Sequence, residues 1–255
     1  ANIERLLVKY GMNFVNGLGT TLLLTGDIAD RAQREQYELA RLHLEQQLGG
    51  MPVYCVSGNH DNPARDDTEY RAFERSLCPE GAQPHTGGAF YAALSPSADL
   101  IGLNPQYHQK QFFFPDRGSQ LDFAETMLAA SGAKLHLMLC HPPLLAHNPQ
   151  RTPGMAPYLT LEQDRRLQSL MDAHSGVVLL CGHTHYAPTA EWDALHHNLY
   201  LNCGSICPTT LRQGGTEVQQ GNLTLLETVE AGLRVRFVGI HTGKVFLDQV
   251  FPLPQ

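Results

Sequence analysis

Residues 52–65 read PVYCVSGNHDNPAR: an apolar, strand-like run, Pro52 to Val56, stops in a cluster of Gly58, Asn59, His60 and Asp61. Gly, Asn, Asp and Pro all favour turns, so the composition alone fits a plain turn after a strand. The rest of the chain decides between a turn and a site. Three other apolar runs end in the same way. Thr20–Thr25 (TTLLLT) leads into Gly26-Asp27-Ile28-Ala29-Asp30, Leu135–Cys140 (LHLMLC) into His141-Pro142-Pro143, and Val177–Cys181 (VVLLC) into Gly182-His183-Thr184-His185. Ligands in open α/β sheets gather at the carboxyl ends of strands, so one shared site explains all four endings.

Between these runs the pattern alternates. Helices are expected over Ile3–Phe14, Arg31–Leu48 (stopped by Gly49 and Gly50), Leu121–Ala130 and Leu161–His174. Ala89–Leu94 and Asp99–Leu103 read as a hairpin pair, and Leu199–Cys203, Asn222–Glu227 and Leu233–Ile240 as strands with no helix between them. Strand–helix alternation followed by a run of strands predicts an α/β core extended by antiparallel strands. No repeat or composition break marks a linker, so residues 1–255 are expected to form a single domain.

Bulk composition narrows the class. A hydrophobic fraction of 42% and a charged fraction of 17% are ordinary for a soluble globular protein. A formal charge of −7 without a block of Lys or Arg argues against a broad nucleic-acid footprint. No apolar run approaches the roughly 20 residues that span a bilayer. Of the six cysteines, Cys55, Cys140 and Cys181 sit inside apolar strands, where Cys acts as a small hydrophobe; reduced thiols and a cytoplasmic setting are expected.

The strand-end set of Asp, Asn and three His mixes oxygen and imidazole donors, which suits Mn, Fe, Co or Zn rather than Ca. His183 and His185, two apart in an extended stretch, crowd a single ion and suit two neighbouring ones. Two ions about 3.5 Å apart can share a carboxylate and hold a hydroxide for in-line attack on phosphorus.

GDIAD, GNHD, HPP and GHTH, in this order, resemble the motifs of the calcineurin-like metallophosphoesterase superfamily, and most of all its bacterial cyclic-nucleotide and glycerophosphodiester phosphodiesterase branch. The protein Ser/Thr phosphatase branch fits less well, since Ala32 follows Arg31 and Asp61 follows His60. The resemblance implies a four-layer α/β/β/α sandwich of two mixed sheets flanked by helices. It also implies two divalent ions bridged by Asp27, with Asn59, His141 and His183 completing one site and His185 serving the other. His60, oriented by Asp30, would then face the phosphate with Asn59 and donate to a phosphoryl oxygen or protonate the leaving alkoxide. Asp61 would orient the GNHD loop. The implied activity is metal-dependent hydrolysis of a small-molecule phosphoric ester, specifically a diester, by a metal-bound hydroxide.

One part of the family pattern has no counterpart. The resemblance places an Asp-x-His motif on a first strand, yet residues 1–25 contain neither Asp nor His. A segment absent from the sequence, a naturally short protein with a weak second metal site, and a degenerate interaction domain binding one metal or none all stay open. Gln106–Arg117 (QYHQKQFFFPDR) is expected as a loop over the site, with a lid or substrate wall as the sharper reading. Cys203 and Cys207 are expected to pack, and His196-His197 to be solvated. His147, Tyr158, Asn202 and Ser205 are placed near the pocket.

Overall fold

Side-chain alternation along the strands sorts the core of this protein into layers. The computed structural model describes residues 21–63, 66–115, 119–149, 158–206, 209–213, 216–240 and 242–254. In order, these contain β1 (Leu22–Leu24), α1 (Arg34–Leu48), β2 (Val53–Cys55), α2 (Thr68–Leu77), β3 (Gln83–Pro84), β4 (Phe90–Ser95) and β5 (Ala98–Leu103). Next come β6 (Gln106–His108), β7 (Gln111–Phe113), α3 (Ser119–Ala130), β8 (Leu135–Cys140), α4 (Leu161–Asp172), β9 (Val177–Cys181), β10 (Thr189–Asp193) and β11 (Asn198–Asn202). The last elements are β12 (Thr209–Gln213), β13 (Thr216–Gln220), β14 (Asn222–Val229), β15 (Gly232–Gly239) and β16 (Val245–Phe251).

A mixed seven-stranded sheet runs in the order β10-β11-β9-β8-β5-β4-β3. Its centre, β11-β9-β8-β5, is parallel, and the outer pairs are antiparallel. Every residue of β5, β8 and β9 is buried, as expected of parallel strands covered on both faces. Alternate residues then divide between the two faces. Ile101, Leu103, Met138, Leu179 and Cys181 pack with Leu121 and Leu128 of α3 and Leu167 and Met171 of α4. Leu100, Leu137, Leu139, Val178 and Leu180 face the other way, against Tyr54 and Val56 from the β2 segment and Val235 and Phe237 of β15. On the far side of β2, Val53 and Cys55 pack with Tyr37 and Leu44 of α1 and Tyr70 and Phe73 of α2.

Beside this sheet, β1–β2 form a two-stranded parallel ladder and β14-β15-β16 a three-stranded antiparallel one. Residues 106–113 are not a loop but a hairpin, β6–β7. The helix expected over Ile3–Phe14 and the position of a preceding first strand lie outside the described residues. Helix α2 was not foreseen. Its inner face, Tyr70, Phe73 and Leu77, has helical spacing in a segment otherwise rich in charge.

Candidate metal centre

The parallel alignment of β1 with β2, and of β8 with β9, brings the chemistry-bearing residues together, because parallel strands end on the same edge. Turning away from the strands requires unusual backbone. Asp27 (φ 54), His183 (φ 63) and His185 (φ 53) are all left-handed without being glycine. Such conformations cost on the order of 1–3 kcal/mol each, persist only where surroundings enforce them, and cluster at functional sites. Close approach also demands glycine at two positions. A Cβ on Gly26 would collide with Nδ1 of His141, and one on Gly58 with Oδ1 of Asp27.

Four side chains converge. Nε2 of His141 lies 3.3 Å from Oδ2 of Asp27, 3.3 Å from Oδ1 of Asn59 and 3.2 Å from Nδ1 of His183. Nδ1 of His183 is 2.9 Å from the same Asn59 oxygen. On its other side, Nδ1 of His141 donates to the Thr25 carbonyl at 2.6 Å. That bond assigns the ring tautomer and aims the Nε2 lone pair at the cluster. The second carboxylate oxygen of Asp27 accepts the His60 N–H at 2.9 Å, which ties the GD and GNHD loops together.

Electrostatics follow from burial and proximity. Burial works against the Asp27 carboxylate, but His141 and His60 outweigh it and hold its pKa well below the usual range. Burial likewise opposes a charge on His141, yet Asp27 and the Thr25 carbonyl raise its pKa above the ordinary value. His183, half-buried beside His141, is pushed down to about 3 by desolvation and by that neighbour, and is therefore neutral.

The donor set fits a divalent cation. A carboxylate, an amide oxygen and two imidazole nitrogens present lone pairs to one another at 2.9–3.3 Å, an arrangement that a shared cation satisfies. A tetrahedral or octahedral shell with bonds of about 2.0–2.2 Å separates neighbouring donors by about 2.8–3.6 Å. The observed separations of 2.9–3.3 Å fall inside that interval. Ligand atoms of Asp27, His141 and His183 all lie within 4.8 Å of one another.

A family profile described as calcineurin-like phosphoesterase matches residues 9–187. The chain belongs to this metallophosphoesterase family. A probable cyclic nucleotide phosphodiesterase of Synechococcus is 32% identical over 124 residues, covering 49% of this chain and 43% of the relative. A probable glycerophosphodiester phosphodiesterase of Arcobacter nitrofigilis is 27% identical over 191 residues, covering 68% of this chain and 59% of the relative. The chain thus spans about half the length of these curated relatives. The fold is shared with purple acid phosphatase PPD1 from yellow lupin seeds (TM-score 0.66, 12% identity, 97% of this chain and 48% of the phosphatase). It is also shared with GAP50, the anchor in the inner membrane complex of Plasmodium (TM-score 0.58, 13% identity, 99% of this chain and 84% of GAP50).

Around the metallophosphoesterase centre, the remaining expected residues are placed as follows. Nδ1 of His60 donates to the main-chain carbonyl of Asp30 at 2.8 Å, while the Asp30 carboxylate stands 3.6 Å away. Asp30 therefore orients His60 chiefly through its backbone. Fully buried Asp61 accepts from the N–H groups of Ile28, Ala29 and Gly58, and from the Tyr37 hydroxyl at 2.8 Å, so it braces both loops at once. His185 is exposed and stands outside the group of converging ligand atoms. The reason is local. GHTH is not extended here, since both histidines are left-handed and buried Thr184 turns inward to donate to Asn202 at 2.9 Å.

His147 stacks on Tyr200 with ring centroids 3.5 Å apart, and His196 hydrogen-bonds to Asp193 at 2.6 Å rather than standing free in solvent. Cys203 is half-buried, and Cys207 lies outside the described residues. Tyr158 contributes its carbonyl to β7, and Ser205 its carbonyl to Asn222. Sequence reading missed Asn104, whose Oδ1 accepts the Ser57 N–H at 2.6 Å and whose amide donates to the Gly88 carbonyl at 2.6 Å. It directly follows an apolar strand, so the strand-end rule applied to β5 would have found it.

Proposed function

We propose that the protein is a metal-dependent hydrolase of phosphoric diesters, cleaving them with water to a monoester and an alcohol. The convergence of Asp27, Asn59, His141 and His183 at 2.9–3.3 Å carries this reading. The names of the two curated relatives support the diester over the monoester. In this reading those four side chains hold one divalent ion, with Mn, Fe, Zn and Co all suited to the donors, and His185 serves a second, weaker position. A bound divalent ion supplies charge neutralisation at phosphoryl oxygens and acidifies water.

The chain's own residues do the rest. Asn59 and His60 face the substrate from a cleft of about 470 Å³. His60 lines the cleft, and with Nδ1–H committed to the Asp30 carbonyl, Nε2 is the nitrogen left to meet substrate. Protonated there, it can donate to a phosphoryl oxygen or pass its proton to the departing alkoxide. Asp27 holds the GNHD loop in place by accepting the His60 N–H, so metal binding and substrate contact are coupled through one carboxylate.

The proposal extends to the architecture. The β1–β2 and β14–β16 ladders are read as parts of one second sheet in a four-layer sandwich forming a single domain, supported by Tyr54, Val56, Val235 and Phe237 sharing one core cluster. A cytoplasmic setting fits the buried, strand-embedded thiols of Cys55, Cys140 and Cys181. One observation favours a second reading, an interaction domain that binds one metal or none and does not turn over: His185 is exposed and stands outside the group of converging ligand atoms. Incubating the protein with Mn²⁺ and bis(p-nitrophenyl) phosphate separates the two. Nitrophenolate release that disappears in Asp27→Ala supports the hydrolase, whereas no release with Mn²⁺, Zn²⁺, Co²⁺ or Fe²⁺ supports the interaction domain.

A further inference from the structure

We propose that the β6–β7 hairpin is the specificity wall of the cleft, with Tyr107 offering its ring to a flat, aromatic ester substituent of the phosphate. This inference rests on the phosphodiesterase reading above and adds the substituent that the site selects.

The base of the hairpin is locked onto the metal-ligating histidines. Fully buried Phe112 lies edge-on to His183, with centroids 5.1 Å apart and planes at 88°, and 5.7 Å from His141. Its N–H donates to the Tyr158 carbonyl at 2.8 Å, and its carbonyl accepts the Thr160 N–H at 3.0 Å. Gln163 then clamps Phe114, accepting from its N–H and donating to its carbonyl, each at 2.8 Å. Strand β7 is thereby fixed relative to the ligands rather than left to swing as a lid.

Tyr107 is the direct cross-strand partner of Phe112, with ring centroids 5.0 Å apart. A continuous aromatic path therefore leads from His183 through Phe112 to Tyr107 at the cleft. The tip reverses through Gln109 (φ 49) and Lys110 (φ 63), both left-handed, as a tight two-residue hairpin turn requires. Asn59 and His60 line this cleft together with Tyr107, His108 and Gln109 of the hairpin. A phosphoryl group held at Asn59 and His60 therefore has the hairpin residues within reach of its substituent in the same cleft. The volume of about 470 Å³ lies well within the range of small-molecule sites and exceeds what a phosphate needs. A half-buried tyrosine ring favours offset or edge contacts with another aromatic ring, and His108 and Gln109 supply donors and acceptors for a polar rim. An aliphatic alcohol would gain little from this wall.

Titration calorimetry on the Mn²⁺-loaded protein with phenylphosphonate and methylphosphonate tests the claim without requiring turnover. Wild type is expected to bind phenylphosphonate about three- to tenfold more tightly, with the preference falling below about twofold in Tyr107→Ala and surviving in Tyr107→Phe. Equal binding of the two phosphonates by wild type, or a preference unchanged in Tyr107→Ala, overturns the wall while leaving the hydrolase reading in place. Parallel loss of both ligands in Tyr107→Ala and in the bulkier Tyr107→Leu also overturns it, since the ring would then serve folding alone. No binding of either phosphonate by wild type, together with no hydrolysis of bis(p-nitrophenyl) phosphate, overturns the phosphodiesterase reading and the wall with it.

Discussion

The hydroxyl of Tyr37, on α1, donates to Oδ1 of buried Asp61 at 2.8 Å, and the same carboxylate accepts N–H groups from both the GDIAD and GNHD loops. Burial beside Asp61 raises the phenol's pKa far above its normal value, so Tyr37 remains a donor at every physiological pH. Removing it leaves Asp61 one donor short in a dry place. Tyr37→Phe is expected to lower stability by about 1–2 kcal/mol in urea denaturation. The three backbone donors remain, so metal affinity should fall by less than about tenfold in a competition titration.

Acid should weaken the metal-free protein through His183. Its pKa is depressed from 6.5 to about 3 in the folded state, so the unfolded chain binds a proton in that window and the folded chain does not. Stability is then lost as pH falls from about 6.5 toward about 3. His141, whose pKa is raised, acts in the opposite window: its stabilisation is complete below 6.5 and fades as pH rises through its folded value. Denaturation of the metal-free protein at pH 7 and at lower pH should show a loss that is markedly smaller in His183→Asn.

Gly58 tests the close approach of the loops. A methyl group there would overlap the Asp27 carboxylate, which both faces His141 and holds the His60 N–H. Gly58→Ala is expected to cost at least about 100-fold in kcat/KM for bis(p-nitrophenyl) phosphate, because misplacing groups by about 1 Å has that effect. A variant that folds and retains wild-type activity would show that the loops are not packed as described.

His136 and Asp99 provide the contrast. They are register partners on β5 and β8, buried, and paired at 2.8 Å, but lie at the strand ends opposite the metal centre. His136→Ala strands a buried carboxylate and should destabilise the protein by about 3 kcal/mol or more. Metal affinity measured well below the melting temperature should be unchanged.

Much of this organisation was legible in the sequence because burial and chemistry change abruptly at single residues. The runs LHLMLC and VVLLC could only be covered strands, and the polar residues after them had to share one edge. Where structure departs from the reading, backbone atoms or unusual φ values are responsible. Nothing in the side-chain pattern says that His60 bonds the carbonyl of Asp30 instead of its carboxylate, or that the carbonyl of Thr25 orients His141. The left-handed His183 and His185 break the two-residue alternation that would have aligned them. The hairpin at 106–113 was hidden because Gln109 and Lys110 occupy turn positions that usually carry Gly or Asn.

The central claim is that donors from four strand ends enclose one divalent cation. Anomalous diffraction from crystals grown with Mn²⁺, recorded on both sides of the manganese edge, tests this most directly. The expected result is a strong peak within bonding distance of Asp27 Oδ2, Asn59 Oδ1, His141 Nε2 and His183 Nδ1. A crystal in which those four atoms close on one another with no anomalous peak, or in which manganese binds only elsewhere, would contradict it.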